Sequence, residues 1–241
     1  MFRTLFQKNS PQVAVMGAFR TGTNYVRFLL EKNYECRILY DAYGWKHGGI
    51  PVLTRYSGLT YPSVPVVYVV KHPASFITSL YDYFKDVNRN ISAATEWEAF
   101  LRKPLVIFDS KPEGSSQMRF ANPAQYWNFI YWNLSTLPAQ IFRTVGLRYE
   151  SVLDDPQREI AAVAERLGLR RKSTEFSIPE AKLARMNDKQ RFEPEKAVTD
   201  QAFSAVLYRD NSFLRRYSEA DLDFLRAELD PELMTRFDYQ I

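Results

Sequence analysis

Cysteine is almost missing from this chain: Cys36 is the only one in 241 residues. No intrachain disulfide can form, so the fold does not rely on oxidation. Histidine is nearly as scarce, with only His47 and His72. Two histidines and a lone cysteine do not make a zinc site, and no metal is expected. Long apolar runs are also lacking. The longest, Val64 to Val70, falls far short of the roughly 20 residues that a membrane-crossing helix needs. The opening MFRTLFQKNSPQ has no apolar signal core, so a cytoplasmic protein without a transmembrane segment is expected. Nor is there a strong charge excess. The 32 basic and 28 acidic residues leave +4, and they are interleaved. That argues against a nucleic-acid partner but suits a cleft that holds an anionic group. What the chain does have is apolar mass: 46% hydrophobic residues, 15% aromatic. This is enough to bury one substantial core, and a single domain is expected over 1–241.

Short apolar runs alternate with amphipathic stretches. Gln12 to Met16 (QVAVM) predicts a buried strand, followed by a helix over Asn24 to Lys32 with Val26, Leu29 and Leu30 on one face. Glu35 to Tyr40 predicts a second strand. The valines of Val64 to Val70 predict a third, buried on both faces as in a parallel sheet. Pro73 then starts a helix to about Val87. Asn122 caps an aromatic-rich helix with Pro123 in its first position. Val145 to Tyr149 predicts a fourth strand. Asp155 and Pro156 open a helix through Leu167 that stops at Gly168. Residues 170 to 200 read as a charged loop or lid, and helices are expected over Glu219 to Leu229 and Pro231 to Arg236. The pattern is that of a three-layer α/β domain with a mainly parallel central sheet. In such sheets ligands bind beyond the carboxyl ends of the strands.

After the first strand comes GAFRTGTNY, Gly17 to Tyr25. A strand, a loop of small residues and a helix start form an anion cradle, because loop and first-turn N–H groups converge on one point. Gly17 and Gly22 permit close approach, Thr21 and Thr23 add hydroxyls, and Arg20 adds a charged fork. This is not the GxxxxGK[ST] phosphate loop, since Thr23 and Asn24 follow the second glycine and no lysine does. After the third strand comes KHPASFITSLYDYF. Lys71 ends the strand and Ser79 follows eight residues later, about two helical turns, so both can reach one phosphate.

Together these two stretches resemble the sulfotransferases that use 3′-phosphoadenosine-5′-phosphosulfate (PAPS). Arg20-Thr21-Gly22-Thr23-Asn24-Tyr25 is similar to that family's first signature. Lys71-His72-Pro73, with Ser79 and the aromatics Tyr81, Tyr83 and Phe84, is similar to its second. LRYESVLDDPQREIAAVAERLGL, Leu147 to Leu169, is similar to a strand–YE–loop–DP–helix segment of the same family. The resemblance implies a P-loop NTPase-like sulfotransferase fold and PAPS as co-substrate, with no metal. It implies that Arg20, Thr21, Gly22, Thr23 and Asn24 hold the 5′-phosphosulfate. Lys71 and Ser79 would hold the 3′-phosphate, and Tyr25 and Tyr149 would contact the adenine.

Sulfuryl transfer needs a base for the acceptor proton and a cation for the leaving phosphate. Arg20 is the fixed cation. His47 is the leading base, in the loop DAYGWKHGGIP, with Lys46 beside the transferring group. In relatives a catalytic histidine precedes the 3′-phosphate basic residue by a little over twenty positions, and His47 precedes Lys71 by 24. His72, Asp41 and Glu150 are competitors, Glu150 more as a structural partner. The GxxGxWK segment that completes the 3′-phosphate site in many cytosolic relatives is missing; Arg185, Lys189, Gln190 and Arg191 are charged or polar residues in its place, Arg191 the candidate substitute. Trp45, Trp127, Tyr131 and Trp132 could line an acceptor cleft, although the residues of 126–132 are expected mainly to pack. The acceptor is left as a saccharide, a lipid headgroup or a small alcohol, and the oligomeric state is open. Two other readings stay open: a kinase-like ATP-dependent phosphotransferase, and a nucleotide-binding module without catalysis.

Overall fold

The computed structural model describes residues 10–51, 62–87, 96–108, 117–179 and 211–241. Four parallel strands form the central sheet: β1 (Gln12–Met16), β2 (Arg37–Leu39), β3 (Val66–Val70) and β6 (Thr144–Arg148), in the order β2-β1-β3-β6. Ala14 pairs with Leu39 on one side and Val66 on the other, and Val67 pairs with Val145. Alternate residues of each strand feed two different cores, because side chains on a strand alternate between faces. Val13, Val15, Val67 and Val69 face α1 (Thr23–Asn33) and α6 (Pro156–Leu167). Ala14, Met16, Val66 and Val70 face α2 (Pro73–Val87) and α4 (Pro123–Ser135). The valine runs are continuous because both faces are covered. This is the three-layer α/β arrangement with a parallel central sheet.

The chain steps from β1 out to β2, then returns across β1 to β3. That reversal leaves a crevice at the carboxyl ends of β1 and β3, the switch point where ligands of open parallel sheets bind. Both singled-out loops leave the sheet at this point.

Several expected elements shift. β2 is confined to Arg37–Leu39, since Glu35 N donates to Arg170 O and Cys36 N to Tyr34 O, which takes both amides off the ladder. β3 begins at Val66 because Pro65 has no N–H to give. The fourth strand ends at Arg148, and Tyr149 opens a short helix, α5 (Tyr149–Asp154), instead of closing the strand. Also not expected were α3 (Trp97–Arg102), an antiparallel pair, β4 (Leu105–Phe108) with β5 (Gln117–Phe120), outside the main sheet, and the 3-10 turn at Ser212–Arg216. Asn122 caps α4 as expected, accepting from Gln125 N at 3.0 Å. Of the expected lid, residues 170–179 form irregular chain tied to α1, where Asn33 bonds both the N–H and the carbonyl of Ser177. The remainder, including Arg185, Lys189, Gln190 and Arg191, lies outside the described residues. The chain closes with a 3-10 turn (Ser212–Arg216), α7 (Glu219–Glu228) and α8 (Pro231–Arg236).

Candidate functional site

The loop from β1 to α1 is built by close contacts. A Cβ on Gly17 would stand 2.6 Å from Val69 O, so only glycine lets the loop lie against β3. Thr21, fully buried, donates its hydroxyl to Ala18 O at 2.7 Å. That hydroxyl therefore shapes the loop instead of pointing outward. Arg20 adopts φ 62, a left-handed conformation that costs a residue with a side chain roughly 1–2 kcal/mol. Such strain persists where surrounding structure enforces it, often at a functional site. Gly22 offers α1 no side-chain cap, and its first turn carries no acidic residue. No carboxylate of that first turn therefore offsets the positive end of the helix dipole.

The loop after β2 closes over this cradle. Gly17 N donates to Lys46 O at 3.0 Å, and His47 Nδ1 lies 2.8 Å from Gly17 O. A carbonyl only accepts, so the proton sits on Nδ1 and the Nε2 lone pair is the basic one. Lys46 Nζ donates to Asn24 Oδ1 at 2.6 Å, bringing an ammonium to the start of α1. Burial, Lys46 and Arg20 push the His47 pKa down to about 3, so the ring is neutral at physiological pH. Phe19 stacks on His47 with centroids 4.4 Å apart. Tyr126, fully buried on α4, accepts from Phe19 N at 3.2 Å and donates to His47 O at 2.9 Å. Neither Phe19 nor Tyr126 stood out in the sequence. The signal lies only in a contact between residues 107 positions apart.

The loop after β3 meets the same cradle. Lys71 is buried, with 2% of its surface exposed, and its Nζ donates to Ser79 Oγ at 2.7 Å. Trp127 Nε1 holds the Lys71 carbonyl at 2.9 Å. The Lys71 ammonium also lies 5.4 Å from the centre of the Tyr149 ring. That ring fills the space over Gly22, where a Cβ would meet Tyr149 Cε2 at 2.2 Å. Tyr149 therefore spans the two loops, and Tyr25 meets it edge-on at 6.5 Å. On the other side, the Arg20 guanidinium sits 5.0 Å from the centre of the Tyr83 ring. Ser79 and Tyr83 are successive-turn neighbours on α2, a spacing that puts side chains on one face. Arg20 and Lys71 thus reach the same face of the same helix.

Other residues weighed from the sequence lie elsewhere. His72 faces the C-terminus, its Nε2 donating to Gln240 O at 2.9 Å. Glu150 accepts from His72 N, as a structural partner. Asp41 is exposed on its loop. Trp127 and Tyr131 are fully buried and cannot line a cleft, while Trp132 bonds Asp230. Trp45 alone of that set stands beside the site, 5.4 Å from His47. Among the described residues no three His, Cys, Asp or Glu side chains come together to hold a metal. No helix among them is long and apolar enough to cross a membrane.

Compared with family models and with curated proteins, the sequence matches none.

Proposed function

We propose that this protein is a sulfotransferase, moving a sulfuryl group from PAPS to a hydroxyl acceptor, on a P-loop NTPase-like sulfotransferase fold in the cytoplasm. One observation carries the reading. The Lys71–Ser79 pair and the Arg20 loop meet the same face of α2, joined by Tyr149. Two cationic subsites that meet one helix, at Ser79 and at Tyr83 one turn further on, suit a nucleotide with phosphate groups at both its 3′ and 5′ positions. ATP, with a 3′-hydroxyl in place of a 3′-phosphate, brings no negative charge to the Lys71 subsite.

In this reading the amides of Thr21 to Asn24, with Arg20 and Lys46, hold the 5′-phosphosulfate. Lys71 and Ser79 hold the 3′-phosphate. Tyr25 and Tyr149 stand at the adenine side. The acceptor oxygen attacks sulfur as its proton passes to His47 Nε2. The bond from sulfur to the 5′-phosphate oxygen breaks, and adenosine 3′,5′-bisphosphate leaves with its new charge facing Arg20 and Lys46. The low His47 pKa makes it a weak base in the free protein. A bound anion offsets the Lys46 and Arg20 charges and raises that basicity when it is needed.

The test is calorimetric titration with adenosine 3′,5′-bisphosphate, and separately with ATP and Mg²⁺. The reading expects micromolar binding of the bisphosphate and at least tenfold weaker binding of ATP. No bisphosphate binding at high micromolar concentration overturns it. Preferential binding of Mg²⁺–ATP would turn the assignment to a phosphotransferase.

A further inference from the structure

The Lys71-His72 turn is gripped from behind by the last residues of the chain. Glu150 connects the two: its Oε1 accepts from His72 N at 2.9 Å, and its Oε2 accepts from the Tyr239 hydroxyl at 2.8 Å. The His72 ring adds a second link, with Nε2–H donating to Gln240 O at 2.9 Å. Tyr239 is itself fixed. It is buried, it lies 5.1 Å edge-on from His72, and the Arg148 guanidinium covers its ring at 4.6 Å. The tail is anchored in turn to the closing helices. Tyr239 N bonds Met234 O, and Arg226 Nε bonds Ile241 O. These groups hold the backbone from which Lys71 reaches Ser79 on α2.

We infer that the C-terminal residues Tyr239 and Gln240 position Lys71 for its anion, with Glu150 as the connecting group, so that Tyr239 is a positioning residue for the 3′-phosphate subsite. This rests on the nucleotide reading above. A charge-assisted hydrogen bond to a carboxylate is strong and directional. Losing the tyrosine hydroxyl leaves one Glu150 oxygen without that donor inside the protein, and the carboxylate shifts toward its remaining partner. His72 N follows it, and the Lys71 ammonium moves relative to Ser79.

The experiment measures Kd for adenosine 3′,5′-bisphosphate and for AMP in the wild type, Tyr239→Phe and Glu150→Gln. AMP has no 3′-phosphate, so it reads the Arg20 loop and the adenine side without the Lys71–Ser79 subsite. The expected result is a roughly tenfold rise in the bisphosphate Kd for Tyr239→Phe, with the AMP Kd unchanged. Glu150→Gln should change in the same sense, since its amide presents a donor to one of two donors. An unchanged ratio of the two Kd values, or equal weakening of both ligands, overturns the inference while leaving the nucleotide reading intact. A wild type that does not prefer the bisphosphate overturns both, and it shows before any variant is compared.

Discussion

Lys71 donates to Ser79 across 2.7 Å, although its side chain is almost wholly buried. An ammonium and a hydroxyl held side by side can together grip one phosphate, the first by charge and the second by a hydrogen bond. Replacing Lys71 by Met keeps the apolar stem and removes that charge. We expect the Kd for adenosine 3′,5′-bisphosphate to rise by about 10- to 100-fold, with AMP binding little changed. Ser79→Ala should give a smaller rise in the same ratio. Calorimetry on both ligands checks this, and equal losses for both would contradict it.

Gly22 and Tyr149 occupy one space. An added Cβ would stand 2.2 Å from the tyrosine ring, at a backbone φ of 84. Gly22→Ala should therefore displace Tyr149, lower thermal stability, and weaken nucleotide binding together, with about 1–3 kcal/mol lost from folding. Gly44 makes a useful control: it also has positive φ, 88, but its added Cβ would touch nothing within 4 Å. Gly44→Ala should cost only the backbone strain and leave binding intact.

Arg20 stands in the left-handed region at φ 62 while its guanidinium covers Tyr83. Arg20→Gly and Arg20→Ala both remove the cation, so both should lose turnover. They differ in strain alone. Arg20→Gly should be the more stable of the two by about 1 kcal/mol, read by urea unfolding.

His47 predicts a pH dependence with a definite sign. Its pKa is pushed down from 6.5 to about 3 in the folded protein. Between those values the unfolded chain binds a proton that the native protein does not, so stability falls as pH falls through that window. From pH 7 to pH 5 the loss should be about 2 kcal/mol from this group. His72, also pushed down by burial, contributes in the same sense. His47→Gln should flatten part of the slope and leave the His72 part. The same variant should keep nucleotide binding and lose turnover by roughly 100-fold or more.

Much of this architecture was legible from local pattern. The QVAVM and VVYVV runs with two covered faces and the Asn122 and Asp155 caps all act within a few residues, and the glycines at 17 and 22 stand out in their loop even though the atoms they make room for, on Val69 and Tyr149, lie far along the chain. The aromatics of α4 pack as expected, with Tyr126, Trp127 and Tyr131 fully buried. What escaped was long-range or ambiguous. LVIF at Leu105–Phe108 is a short apolar run that periodicity alone does not assign. Tyr149 reads as strand from its own preference, yet it opens a helix, which turns its ring onto Gly22. The tie from Tyr126 to both Phe19 and His47 joins three separate stretches of chain. The grip of Gln240 on His72 joins residues 168 positions apart. No local signal marks such contacts, because folding alone brings the partners together.

The most direct measurement is a crystal structure of the protein with adenosine 3′,5′-bisphosphate bound. The 3′-phosphate should lie against Lys71 Nζ and Ser79 Oγ, and the 5′-phosphate over the amides of Thr21 to Asn24 beside Arg20. A nucleotide held at only one of these ends, or seated away from the crevice between β1 and β3, would contradict the account.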